Sequence, residues 1–259
     1  MIYFYQQSIF KGILSLMIEV KKSHIGNNKP LYNLVKNLSN TMYSLNRTDK
    51  KIFKKYLTLT KDINRELLLY DDNKHSFETF KISVENKINF YNKLIIDKKF
   101  PIGFHINNFE NKIKKIVDSV ENLDKKDIRN VRGLITEGIC CSNLFDVNQQ
   151  TSKKFIWDCH FYENSKIIDL IKDGKTTNTV DIFFNDNRIN LYECKTSPNF
   201  LENRQMEFMI MLKEKYNYYG EKIELNLFIL EDSNHPSIIR KLEDLNIDSY
   251  IKIKDINNI

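Results

Sequence analysis

Three charged residues interrupt two apolar stretches late in the chain. Asp181 lies in Val180-Asp181-Ile182-Phe183-Phe184, and Glu193 and Lys195 lie in Leu191-Tyr192-Glu193-Cys194-Lys195. A strand that buries its faces excludes charge unless the charge is paired, solvated at a cleft or bound to a metal. Residues two apart in a strand share a face, so Glu193 and Lys195 project together. With Asn185–Asn187 read as a three-residue loop, Phe184 opposes Arg188 and Asp181 opposes Leu191. Asp181 then lies diagonal to Glu193 on the same face. A loop of two or four residues would turn it to the other face. Two neighbouring carboxylates repel unless a cation joins them, and hard oxygen ligands suit Mg²⁺ or Mn²⁺. A lysine beside such an ion can orient water or balance charge on a phosphate. Metal, water and lysine are the components of phosphodiester hydrolysis. The plainer alternative is a Glu193–Lys195 surface pair on an edge strand, with Asp181 capping a turn.

Asp181, an eleven-residue gap and Glu193-x-Lys195 across two strands resemble the PD-(D/E)xK signature of the restriction-endonuclease-like superfamily. The resemblance covers roughly residues 127–256. It implies that Asp181 and Glu193 bind the metal together with the backbone carbonyl of Cys194, and that Lys195 positions the attacking water. The family often carries a further acidic residue on the helix before the first strand, and Glu137 in Gly133-Leu134-Ile135-Thr136-Glu137-Gly138 holds that place. It often carries a Gln on the helix after the lysine strand, and Gln205 holds that one. Val180 stands where the name-giving Pro would be, and Met209 stands where a Tyr would follow Gln205 one turn on. The implied activity is a Mg²⁺- or Mn²⁺-dependent nuclease acting on nucleic acid, DNA rather than RNA. Restriction or phage defence, and a homodimer or a regulating partner protein, are what the family suggests. The alternative is a catalytically silent nucleic-acid-binding or scaffold subunit.

Other groupings carry less. Asp158-x-His160 beside Trp157 could ligate a metal but has no third ligand at a fixed spacing. His24, His75, His105 and His235 are scattered. No phosphate-binding glycine loop of the G-x-x-x-x-G-K-[ST] or G-x-G-x-x-G type occurs. Cys140, Cys141, Cys159 and Cys194 form no C-x-x-C, so free buried thiols in a reducing cytoplasm are expected.

The elements that must position these residues read as two parts, 1–125 and 126–259. From about Tyr3 to Asn122 the pattern is helical, as in Leu31, Leu34, Val35 and Leu38, and Asp49 and Thr60 read as N-caps or first-turn residues. Met1–Val20 reads as an amphipathic helix and not as a membrane span. From 127 the order reads α-β-β-β-α-β-α-β, an α/β (α+β) arrangement of a mixed sheet flanked by helices. The expected elements are a helix to Phe145, strands at 153–162, 179–184 and 188–195, a helix at 201–219 closed by Gly220, a strand at 224–230, a helix at 236–245 and an edge strand at 250–256.

Composition agrees with that division. Of 259 residues, 41% are hydrophobic and 29% charged, with only 7 Gly and 4 Pro, which excludes collagen-like and linker classes. Residues 1–126 carry 23 Lys and Arg against 13 Asp and Glu; residues 127–259 carry 17 against 21. A basic half suits a polyanionic partner, and a Lys-rich solvated helical surface suits it equally. Lys51, Lys54 and Lys55 share a helical face, and Lys114 and Lys115 form a second cluster; these are the expected phosphate contacts.

Overall fold

The computed structural model describes residues 18–23, 29–96, 103–149, 154–197, 200–230, 236–244 and 250–256. Most of the helix expected over Met1–Val20 lies outside these residues. Its last three residues are not helical: they open a strand, β1 (Ile18–Lys22). The alternation of Ile18 and Val20 with Glu19 and Lys21 has the period of a strand, and antiparallel pairing with β2 (Phe155–Glu163) buries Val20. Residues 18–22 therefore belong to the sheet of the second half.

Helices α1 (Lys29–Thr48), α2 (Lys50–Asp71), α3 (Phe77–Ile96) and α4 (Gly103–Val120) follow. Asp49 caps α2 as expected, accepting from the backbone N–H of Lys51 and Ile52. Thr60 is no cap. It lies inside α2, where its hydroxyl bonds back to the Tyr56 carbonyl at 2.7 Å and its methyl is buried, because the apolar stripe of α2 runs through it. Helix α5 (Lys125–Leu144) comes next, with Asp124 as its N-cap.

Next come β2, β3 (Lys166–Ile167), β4 (Leu170–Lys172), β5 (Lys175–Thr177), β6 (Thr179–Asp186) and β7 (Arg188–Lys195). Then follow α6 (Asn203–Tyr218), β8 (Ile223–Ile229), α7 (Pro236–Asp244) and β9 (Ile251–Asp255). Gly220 has φ +79° just past α6, the left-handed conformation that ends a helix. The hairpin β4–β5 was not expected. Asp173 and Gly174 both have positive φ at its turn, so the Asp-Gly pair was its signal.

Seven of the described strands form one mixed sheet in the order β1-β2-β6-β7-β8-β9, with β3 paired to β2, and β4 and β5 form a separate two-stranded sheet. Pairing is antiparallel from β1 to β7 and parallel for β7–β8 and β8–β9, which α6 and α7 connect. Two apolar clusters cover the two faces. One joins α1–α5 to Phe155, Trp157, Ile182, Tyr192, Cys194 and Phe228. The other joins α6, through Met206, Phe208, Met209 and Leu212, to Phe161, Val180, Leu191 and Leu227. The first cluster runs without a break across position 125. Among the described residues, no helix is long and apolar enough to cross a membrane.

Candidate active site

The β6–β7 ladder runs from Ile182↔Tyr192 to Asp186↔Arg188, with Asn187 alone at the tip at φ +62°. The expected three-residue loop is thus a tighter one, and the register shifts by two residues. An odd offset is kept, so Asp181 comes level with Glu193 itself and not with Leu191. The ladder stops at Ile182↔Tyr192, and beyond it the Asp181 carboxylate takes over: its Oδ2 accepts the backbone N–H of Cys194 at 2.6 Å. Side chain thus replaces backbone as the bridge between the strands.

Glu193 is almost fully buried, and the Lys195 ammonium lies 2.7 Å from its Oε1, with 14% of the lysine side chain exposed. The pair is therefore not the surface decoration of an edge strand, and β7 is an interior strand. The Cys194 side chain points the other way, into the cluster under α5, where it meets the Cys140 thiol. All four cysteines are free and buried.

Glu137 arrives from α5. Its Oε2 accepts the Trp157 indole N–H at 2.5 Å. That contact depends on how closely α1 and α5 approach. The Ser39 hydroxyl donates to the Gly138 carbonyl at 2.7 Å, and a Cβ at Gly138 would lie 2.8 Å from Val35 Cγ1. Tyr32 of α1 packs on Trp157 with ring centroids 4.9 Å apart. On the far side, Asn64 of α2 donates to the Arg132 carbonyl and accepts from the Arg132 guanidinium, which fixes the turn before Glu137.

Asp158 was the weaker candidate in the sequence, and the structure moves it to the site. It has φ +57° in the middle of β2, a conformation that costs a non-glycine residue energy and clusters at functional positions. The β2–β6 ladder omits Asp158 and Asp181: Trp157 pairs Ile182, then Cys159 pairs Val180. The faces invert there. Trp157 and Ile182 belong to the cluster under α5, Cys159 and Val180 to the cluster under α6. The two aspartates thus sit side by side where both strands reverse their facing. Ser23, just past β1, donates its hydroxyl to the Asp158 carboxylate and its N–H to the Asp158 carbonyl. His160 does not join them; its Nδ1 is 2.9 Å from the Asn178 carbonyl oxygen.

The electrostatics follow from this crowding. Burial raises the Glu137 carboxyl to about 7; the Trp157 hydrogen bond lowers it, while the charges of Asp158 and Glu193 raise it and Lys195 lowers it. Asp181 is held well above the carboxylate range by burial and by Glu193 and Glu137. Burial alone would lower Lys195, but Glu193 and Asp181 outweigh it and hold the ammonium above its ordinary value. Lys195 is therefore a fixed cation and not a base. One cation faces an excess of buried carboxylates, which is the condition a divalent ion relieves. Asp181, Glu193 and the Cys194 carbonyl are hard oxygen donors of the kind Mg²⁺ or Mn²⁺ takes. Among the described residues, however, no group of three or more His, Cys, Asp or Glu side chains stands ready to hold a metal ion.

Gln205 lies in the first turn of α6, half-buried, and its Oε1 is buried with no hydrogen-bond partner among the described residues. Lys51, Lys54, Lys114 and Lys115 are exposed, whereas the Lys55 ammonium donates to the Leu94 carbonyl at 2.6 Å. No protein-family model, curated protein or solved structure matches the chain.

Proposed function

We propose that this chain is a metal-dependent nuclease, hydrolysing phosphodiester bonds by the chemistry that the PD-(D/E)xK resemblance implies. One observation carries the reading: Glu137 from α5, Asp181 from β6 and the Glu193–Lys195 pair from β7 are buried near enough to act on one another's charge, with the carboxylates outnumbering the lysine. A fold stabilised only by packing has no use for such an arrangement. The element order, with a helix before and after the paired strands, suits a restriction-endonuclease-like core. Asp181, Glu193 and the Cys194 carbonyl would hold Mg²⁺ or Mn²⁺, which when bound lowers the pKa of water and neutralises phosphate charge.

The chain's own groups do the rest. The Lys195 ammonium donates to the attacking water or to a non-bridging phosphate oxygen, where negative charge grows. Glu137, near neutrality, exchanges a proton with that water at ordinary pH. Gln205 Oε1, without a partner among the described residues, accepts from water or turns its amide to phosphate. DNA as the preferred substrate, a role in restriction or defence, and a dimeric or partner-controlled state belong to the same proposal.

A second reading, a silent nucleic-acid-binding subunit, draws on the Lys195–Glu193 ion pair, which engages a carboxylate oxygen that a metal would need. Plasmid and single-stranded substrates incubated with Mg²⁺ or Mn²⁺ separate the two. Cleavage abolished by EDTA, by Glu193→Ala and by Lys195→Ala is expected. Cleavage that survives both substitutions would remove this site from the mechanism. Salt-sensitive binding with no cleavage in either metal would favour the silent subunit.

A further inference from the structure

We infer that a nucleic-acid backbone binds along the β9 edge of the sheet, on a track of cations that joins two surface cavities. The inference rests on the nuclease reading in one respect only: it says where that enzyme's substrate lies.

The first cavity, about 740 Å³, opens at the β6–β7 turn. Arg188, Lys213, Lys222 and Lys252 line it, with Glu224 as the one carboxylate. Glu224 is nearly buried and holds Arg188 at 2.9 Å and Lys252 at 2.7 Å, so two cations are fixed by a single acid. Lys222 is exposed and has no ion-pair partner among the described residues. Tyr250 presents a half-exposed ring on the wall, with the Lys213 ammonium 5.2 Å from its centroid. Cations beside an exposed aromatic face make the surface that nucleic acids take, phosphates on the charges and a base on the ring.

The second cavity, about 360 Å³, lies at the corner between α1 and α2. Arg47, Lys50 and Lys54 line it, with no carboxylate, and Ile256 at the end of β9 closes it. Strand β9 therefore runs from one cavity to the other. Lys252 and Lys254 lie on its same side, Lys254 against the Tyr192 hydroxyl at 3.1 Å. From Ile251 to Ile256 is roughly 17 Å at strand rise, the length of about five phosphates along one strand of a duplex. The register places the end of the track level with the candidate active site. Lys195 pairs Ile229, and Ile229 pairs Asp255, so the end of β9 is level with Lys195 and two strand spacings away, roughly 10 Å. Lys254 pairs Phe228, which pairs Cys194, so Lys252 and Lys254 lie on the Cys194 face of the sheet, and a backbone on the track runs level with the candidate site from the face opposite to Lys195.

The measurement is binding of the full chain to a short fluorescent DNA duplex and to its single strand, in EDTA so that nothing is cut, across a range of salt. The variant carries Lys50→Gln, Lys54→Gln, Lys222→Gln and Lys252→Gln, all exposed side chains. A control carries the same charge change elsewhere, as Lys125→Gln, Lys126→Gln, Lys166→Gln and Lys175→Gln, all exposed. At 0.7–0.9 released counterions per contact, the slope of log affinity against log salt should fall by about 3 in the track variant and hold in the control. Equal losses in both would overturn the track in favour of diffuse attraction. An unchanged slope in the track variant, with new self-association on a sizing column, would also overturn it, and would assign these lysines to guarding an open sheet edge. Cleavage reports separately: a track that binds without cleavage leaves this inference standing and removes the nuclease, and cleavage with an unaltered slope does the reverse.

Discussion

Replacing Glu137 by Gln should make the metal-free protein more stable at about pH 8 and leave it nearly unchanged at about pH 4. The carboxyl is raised from 4.5 to about 7 in the folded chain, chiefly by burial. A carboxyl whose folded pKa is raised binds its proton more tightly when folded. Its contribution is fully present below the unfolded value and is lost as pH rises from 4.5 through 7. That shift corresponds to a ceiling of about 3 kcal/mol at alkaline pH. Because solvent reaches part of the side chain, about 1–2 kcal/mol is the expected gain. The amide keeps the hydrogen bond, since its oxygen still accepts the Trp157 indole N–H, so the substitution removes charge and little else. Urea unfolding of both proteins in EDTA at the two pH values gives the difference directly. Adding Mg²⁺ or Mn²⁺ should shrink the gap at high pH, because a bound cation favours the charged wild-type group. A pH-independent difference, or a Gln variant less stable at high pH, would refute the claim that uncompensated carboxylate charge accumulates here.

Trp157 is the only tryptophan and its indole touches Glu137, so titrating Mn²⁺ or Mg²⁺ should change intrinsic fluorescence in the wild type and not in Asp181→Asn/Glu193→Gln; an unresponsive wild type would count against a metal at this point. Lys195→Met should cost about 3–5 kcal/mol, because it strands buried carboxylates, and Glu193→Gln should cost less, because Asp181 and Glu137 still face the lysine. The double variant should cost less than their sum, and additive losses would mean that the ion pair is not coupled. Gly138→Ala should cost about 1–3 kcal/mol in denaturant midpoint by pushing α1 off α5, and Val35→Ala in the same chain should restore part of it. Failure of that rescue would show that the close approach lies elsewhere.

Much of the second half was legible because period and punctuation are local. The strand Arg188–Lys195 is bounded as expected, and Gly220 ends α6 as its position implied. The parity argument held as far as Ile182 and Tyr192, where the ladder stops; beyond them β6 reverses its facing, and it is the Asp181 carboxylate on the Cys194 N–H that joins Asp181 to the strand of Glu193. What it missed was the length of the turn: Asn187 accepts a left-handed conformation, so the hairpin could tighten and set the carboxylates level. The hairpin at Asp173-Gly174 was legible and overlooked.

The sequence by itself determined which residue types lie within a strand's reach of one another: Asp181, Glu193 and Lys195, two strands and one turn. Local geometry does that, because alternation and turn chemistry act over a few residues. Tertiary structure decided the rest. It made a strand of Ile18–Lys22 because β2 offered an unpaired edge. It brought Glu137 in through Trp157 and the tight α1–α5 contact, and it turned Asp158 to the site by inverting two neighbouring strands at one level. It also gathered Lys50, Lys54, Lys222 and Lys252 along one edge from segments far apart in the chain. Charge in a sequence has no direction until packing assigns each side chain a face, and long-range contacts leave no spacing to read.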